Sequence, residues 1–335
     1  MKPPVNTGQS QPNHLVMKTH QKERLIPSLA AVLLLFGFAA CDTLNKEQEE
    51  EISQEELEIA GEIIGSSLSD VEEGLLSSLY DAVSDVSEDG IQSRLQDQNR
   101  EREQQRDHGR GSESDYNYDY NPETGEHTIW FIRKFEGPLV FRSLKVRSRY
   151  IYTDVNGRFI QFPKRQQDRI QTIDYKGTRE GITEGPYRYT RFYRFNQFYL
   201  GGLTAASPVM TLTGSHFGTG EMNAKVMQRD MVTNRTYELD MNLDKIRIDK
   251  DVVRENGSLE DGITGFISYR LTITRTVNGE SFERNLSGVI ELTGDGTALL
   301  RFDKLREFFR IGLATGSVDR PDTNDDSRPD QRPRS

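Results

Sequence analysis

From about Tyr116 the chain alternates with a period of two, and that pattern commits most of it to β-sheet. Tyr116, Tyr118 and Tyr120 alternate with polar residues, "NPETGE" turns the chain, and "HTIWFIRKF" returns it. Further turn signals follow at "DVNG" (154–157), "VNGE" (277–280) and "GDG" (294–296). Between them lie runs rich in Val, Ile, Thr, Tyr and Phe, such as "LVFRSLKVRSRYIYT", "NRTYELDMNLDKIRI" and "GFISYRLTITRTV". Long runs joined by tight turns predict an antiparallel meander of roughly ten strands between 116 and 303, in a domain set at 116–310. The expected class is mainly β with an N-terminal helical segment, the sheet being curved, a sandwich or a half-barrel. "SPVMTLTGS" (207–215) and "SGVIELTGD" (287–295) share residues at an offset of 80, which fits either two related units of about 80 residues or a general likeness of strand-and-turn sequence.

Ahead of the sheet the period changes. Leu57, Ala60, Ile64, Leu68, Val71, Leu75, Leu79, Val83 and Val86 are spaced by threes and fours, predicting an amphipathic helical segment over 59–90. Ser69 and Glu72 have capping-box spacing, so two helices meeting near Gly65–Ser69 are expected. Glycines at 61, 65 and 74 weaken such helices, which then need a surface to pack on. That surface is either the protein's own sheet or, through 59–90, a second copy or a protein partner.

Charge marks the remaining segments. Residues 41–58 form an acidic tether, and 91–115, where Arg, Gln, Glu and Asp alternate, form a polar linker of disordered composition. Residues 311–335 make an acidic, proline-containing tail of the same kind. The formal net charge is −10, and removal of residues 1–40 leaves 39 basic and 52 acidic residues, a net −13. A chain so charged is repelled by nucleic acid, so no nucleic-acid partner is expected.

One cysteine, Cys41, excludes an intramolecular disulfide and a cysteine-rich zinc site. It follows a positive stretch (Lys18, Lys22, Arg24), a ten-residue apolar run from Leu29 to Phe38, and the small residues Ala39 and Ala40. The run is too short to cross a bilayer, which takes about 20 apolar residues. It has the length of a secretory h-region. Residues 17–41 resemble a bacterial lipoprotein signal peptide with its lipobox, although Phe38 stands where leucine is usual. That resemblance implies a signal peptide within 1–40, starting at Met17, and lipidation of Cys41, which becomes the first mature residue. It also implies a membrane-anchored lipoprotein of the cell envelope, facing periplasm or cell surface, with the membrane as partner through its acyl chains.

The most aromatic run, "YRYTRFYRFNQFYLGG" (187–202), would put Tyr187, Tyr189, Arg191, Tyr193 and Phe195 on one strand face. Aromatics interleaved with arginine form a stacking platform for bases or sugars, and they are equally good strand formers. These five are the candidate ligand-binding residues. No G-x-S-x-G, H-E-x-x-H, P-loop or G-x-G-x-x-G pattern is present, and the sequence implies no catalytic residue, metal or cofactor. The function read from the sequence is a lipid-anchored envelope protein whose β-domain is an interaction or structural module. The rivals are a periplasmic carrier of a hydrophobic ligand or lipoprotein and, more remotely, an envelope hydrolase.

Overall fold

The computed structural model describes residues 52–84, 113–226, 231–277, 280–303, 305–306 and 308–320. Residues 1–40, where a signal peptide is expected, Cys41, most of the acidic segment and linker expected after it, and the end of the tail lie outside the described residues. Twelve strands form one antiparallel sheet in sequence order: β1 (Glu113–Asn121), β2 (Glu126–Glu136), β3 (Phe141–Thr153), β4 (Thr172–Glu184), β5 (Arg188–Gly201), β6 (Val209–Val226), β7 (Met231–Asp249), β8 (Ile263–Val277), β9 (Glu280–Thr293), β10 (Thr297–Phe302), β11 (Phe308–Gly312) and β12 (Val318–Asp319). The sheet is not closed into a barrel. The mainly β meander is therefore as expected, with ten strands by Phe302 and two more after it. The motifs offset by 80 residues fall at the start of β6 and the end of β9, which run in opposite directions within one continuous sheet.

The turns use the residues that a reversal requires. Gly125, Gly157, Gly294 and Gly296 all have φ between 70° and 79°, where a side chain would be strained. The Asp154 carboxylate accepts from the backbone N–H of Asn156 and Arg158 at 2.8 and 3.0 Å, closing the loop after β3. A helix α3 (Lys250–Asn256) follows β7, capped by Asp249 and ended by Gly257 in the left-handed region.

Two helices cover one face of the sheet: α1 (Gln54–Leu68) and α2 (Leu75–Ser84). The first begins five residues ahead of the expected boundary, because Ser53 and Glu56 form a complete capping box. It ends at Ser69, where the expected break falls. Residues 70–73 form a turn, so Val71 is not part of the apolar stripe and is 69% exposed. Leu57, Ile63, Ile64, Leu68, Leu75, Leu76, Leu79 and Ala82 are buried in the core. Burying each large aliphatic side chain is worth about 1.5–3 kcal/mol, enough to hold short, glycine-containing helices in place.

The helices touch strands from β4 to β12. Two inward-facing glycines of the sheet lie under aromatic rings of neighbouring strands. A Cβ on Gly181 would stand 2.2 Å from the Phe192 ring, and one on Gly220 would stand 2.3 Å from the Tyr237 ring. Each pair is directly opposite in register.

The G-x-x-x-G spacing of 61–65 has a structural reason as well. A Cβ on Gly65 would lie 2.5 Å from the carbonyl oxygen of Gly316, and one on Gly61 would lie 2.9 Å from Val318. Backbone thus meets backbone where α1 crosses the turn before β12. The tail boundary at 311 is corrected by the same contact, since β11 runs to Gly312 and β12 completes the sheet.

Candidate functional site

The two faces of the sheet carry cations in different settings. On the helix-covered face, β4 and β5 bring Arg179 and Arg194 inward, where they are 1% and 2% exposed. Arg179 pairs with the carboxylates of Glu73 and Asp81, and its Nε donates to Ser78 Oγ at 3.0 Å. Burial alone would lower the pKa of Arg179, but Asp81 and Glu73 outweigh it and raise that pKa further above its ordinary value. Arg194 donates to the Glu72 carbonyl and, at 3.1 Å, to Ser66 Oγ, and it lies 4.2 Å over the Phe192 ring. Burial pulls its pKa down.

Asn196 joins this seam by donating to Ser78 Oγ at 2.9 Å, which leaves its Oδ1 to accept from His216 Nδ1 at 2.7 Å. Burial, followed by the nearby Arg194, depresses the His216 pKa to about 3, so the ring is neutral at pH 7 with its proton on Nδ1 and an unpartnered Nε2. His127, the other histidine on a strand, bonds Ile160 O at 2.9 Å and Tyr118 Oη at 2.8 Å, and burial lowers its pKa too. Ser67, Ser78, Asn196 and His216 are all at most 1% exposed. They serve the helix–sheet contact and present no group to a substrate. The void between helices and sheet, lined by Leu68, Leu79, Leu212, Ile246, Ile267 and Leu292 among others, has a volume of about 10 Å³. That is room for about one water molecule.

The outer face is open. Tyr189, Arg191, Tyr193 and Phe195 alternate along it on β5, while Tyr187 stands in the β4–β5 turn, 54% exposed. The sequence missed their cross-strand neighbours. Trp130, Arg147, Thr178, Phe195 and Phe217 are directly opposite one another across β2 to β6 and make one continuous row. The next row on one side is Thr128, Arg149, Lys176, Gln197 and Ser215, and on the other Ile132, Lys145, Glu180, Tyr193 and Thr219. These rows exist only in the pairing of five strands, so no single run of sequence reveals them.

Within this platform Arg149 pairs with Glu126 at 2.7 Å and Asp174 at 3.9 Å, and Lys145 with Glu180 at 3.6 Å. Lys176 lies 5.5 Å over the Phe195 ring. Arg147 and Arg191 are exposed and have no ion pair among the described residues. Such a face can stack planar or C–H-rich rings and pair with carboxylates. Among the described residues there is no cluster of three or more metal-ligating side chains, and no helix is long and apolar enough to cross a membrane.

Comparison with known proteins places the chain in no family: no family model, curated protein or solved structure matches it.

Proposed function

We propose that this protein is a lipid-anchored component of a bacterial cell envelope, tethered through acylated Cys41, whose β-domain is an interaction or structural module. Its sheet faces the periplasm or the cell surface, held off the membrane by the acidic segment after the anchor. The observation that supports a module over a carrier of hydrophobic ligand is the filled inner face. Helices α1 and α2 cover it from β4 onward, and the void of about 10 Å³ between them and the sheet is too small for an acyl chain. The contact surface on this reading is the outer face of β2 to β6.

The anchor is tested directly. In a detergent phase partition of cell extracts, the wild-type protein should enter the detergent phase and Cys41→Ser should lose acylation and remain unprocessed or move to the aqueous phase. Detergent partition of a signal-cleaved Cys41→Ser protein equal to wild type would sink the lipoprotein reading.

A further inference from the structure

We infer that the outer face of β2 to β6 binds a linear polysaccharide bearing carboxylates. The inference rests on the envelope placement proposed above for its choice of a glycan. Three features carry it. Aromatic side chains recur across the face: Tyr193 on β5, which is 37% exposed, and the half-buried Trp130 on β2, Phe195 on β5 and Phe217 on β6, whose outer sides face solvent. Rings of this kind stack on the C–H faces of sugars as they do on bases. Hydroxyl and amide groups stand between them, Thr178 in the central row and Gln197 beside it, and these suit sugar hydroxyls.

The third feature is the charge left over. Arg149 and Lys145 are already paired to Glu126, Asp174 and Glu180, whereas Arg147 sits between Trp130 and Thr178 with no carboxylate partner. An exposed guanidinium beside an indole, flanked by hydrogen-bonding groups, is complementary to a sugar that carries a carboxylate. Five strands about 4.8 Å apart span ~19 Å, long enough for several sugar rings in a row. A nucleic acid fits less well. The net −10 of the chain opposes the approach of either polyanion, but Glu180 and Asp174 stand within the platform as hydrogen-bond acceptors, and each sugar of a glycan offers them several hydroxyls where a nucleotide within a strand offers at most one.

The test uses the full-length protein in mild detergent and measures binding of a polygalacturonate oligomer by calorimetry. A neutral glucan of equal length, single-stranded DNA and vesicles with anionic lipid serve as comparisons. Polygalacturonate should bind, the neutral glucan at least about tenfold more weakly, and DNA and vesicles no better than the glucan. Arg147→Glu should weaken polygalacturonate binding about tenfold or more, and Tyr193→Ala by about three- to tenfold. Phe266→Ala, on the outer face of β8 where Phe266 is 61% exposed, should leave it unchanged. Each variant is checked for an unaltered melting curve. Absence of polygalacturonate binding, equal binding of DNA or vesicles, or full binding by Arg147→Glu would overturn the inference. None of these results bears on Cys41, so the anchor stands or falls by its own partition test.

Discussion

Arg194 and Arg191 stand three residues apart on β5 and face opposite sides of the sheet. Arg194 is held by the Glu72 carbonyl, Ser66 and the Phe192 ring, and Arg179 on the neighbouring strand is held by two carboxylates. Arg191 and Arg147 are exposed, with no ion pair among the described residues. The same residue type thus does two jobs. Inside, arginine fixes where the helix pair sits on the sheet, since a buried cation tolerates few arrangements of its partners. Outside, it adds little to the fold and is free to meet a ligand. The comparison yields a ranking: substitutions should cost most where the cation is buried and paired, and almost nothing where it is exposed.

The largest effect is expected at Arg179. Its side chain is 1% exposed, while Glu73 and Asp81 are 22% and 15% exposed. Arg179→Met would take the buried cation away from both carboxylates at the helix–sheet contact. Breaking a buried pair in this way costs about 3–5 kcal/mol, and the partial exposure of the acids favours the lower end. Urea denaturation should show that loss. The triple variant Arg179→Met, Glu73→Gln, Asp81→Asn should recover most of it, because no charge is then stranded. A single-variant loss below about 1 kcal/mol, the range of an exposed pair, would erase the distinction between the faces.

An effect confined to acid, and absent at neutral pH, is expected at His216. Its folded pKa of about 3 lies below the usual histidine value, so the unfolded chain binds the proton more readily. Stability from this site is complete above about pH 6.5 and falls as pH drops from there towards 3, by at most about 1.4 kcal/mol per pH unit. His127 is depressed in the same direction and adds to the slope. The melting temperature of wild type should therefore fall between pH 6.5 and 4 more steeply than that of His216→Gln. Parallel pH profiles for the two proteins would show that the seam is wetter than its burial implies.

Much of the sheet was legible because alternation and turn glycines are local signals. The buried arginines were legible only in part. In "TIDYKGTRE" Arg179 is in phase with Ile173 and Tyr175, so a strict period of two places it inside; in β5 Arg194 is in phase with Phe198 and Leu200. The expectation that arginine is a surface residue hides this. For β5 the sequence could not say which face is covered, since both faces carry aromatics and arginines. The tail was misjudged at 311 because β12 is two residues long, and because the contact of Gly316 with Gly65 joins positions far apart in the chain. The platform has the same origin: Trp130 and Phe217 become neighbours of Phe195 only through strand register.

The smallest effect is expected on the outer face, and it separates two cations that are neighbours there. Arg149 bonds Glu126 at 2.7 Å and is 3.9 Å from Asp174, with its side chain 35% exposed. Arg149→Ala should cost about 0.2–1 kcal/mol, as exposed ion pairs do. Arg147 has no such partner, and a charge reversal there removes no ion pair. Its Glu replacement would lie diagonal to both Lys176 and Glu180 and within two residues of Lys145 and Arg149, so it meets more cations than anions, which partly offsets the loss of packing by the arginine stem. Arg147→Glu should therefore leave the urea midpoint unchanged, within about 0.5 kcal/mol. A loss above 1 kcal/mol at Arg147 would mean that this cation supports the fold after all. The outer face would then be another structural surface, and weakened polysaccharide binding by the variant would report damage to the sheet rather than loss of a contact.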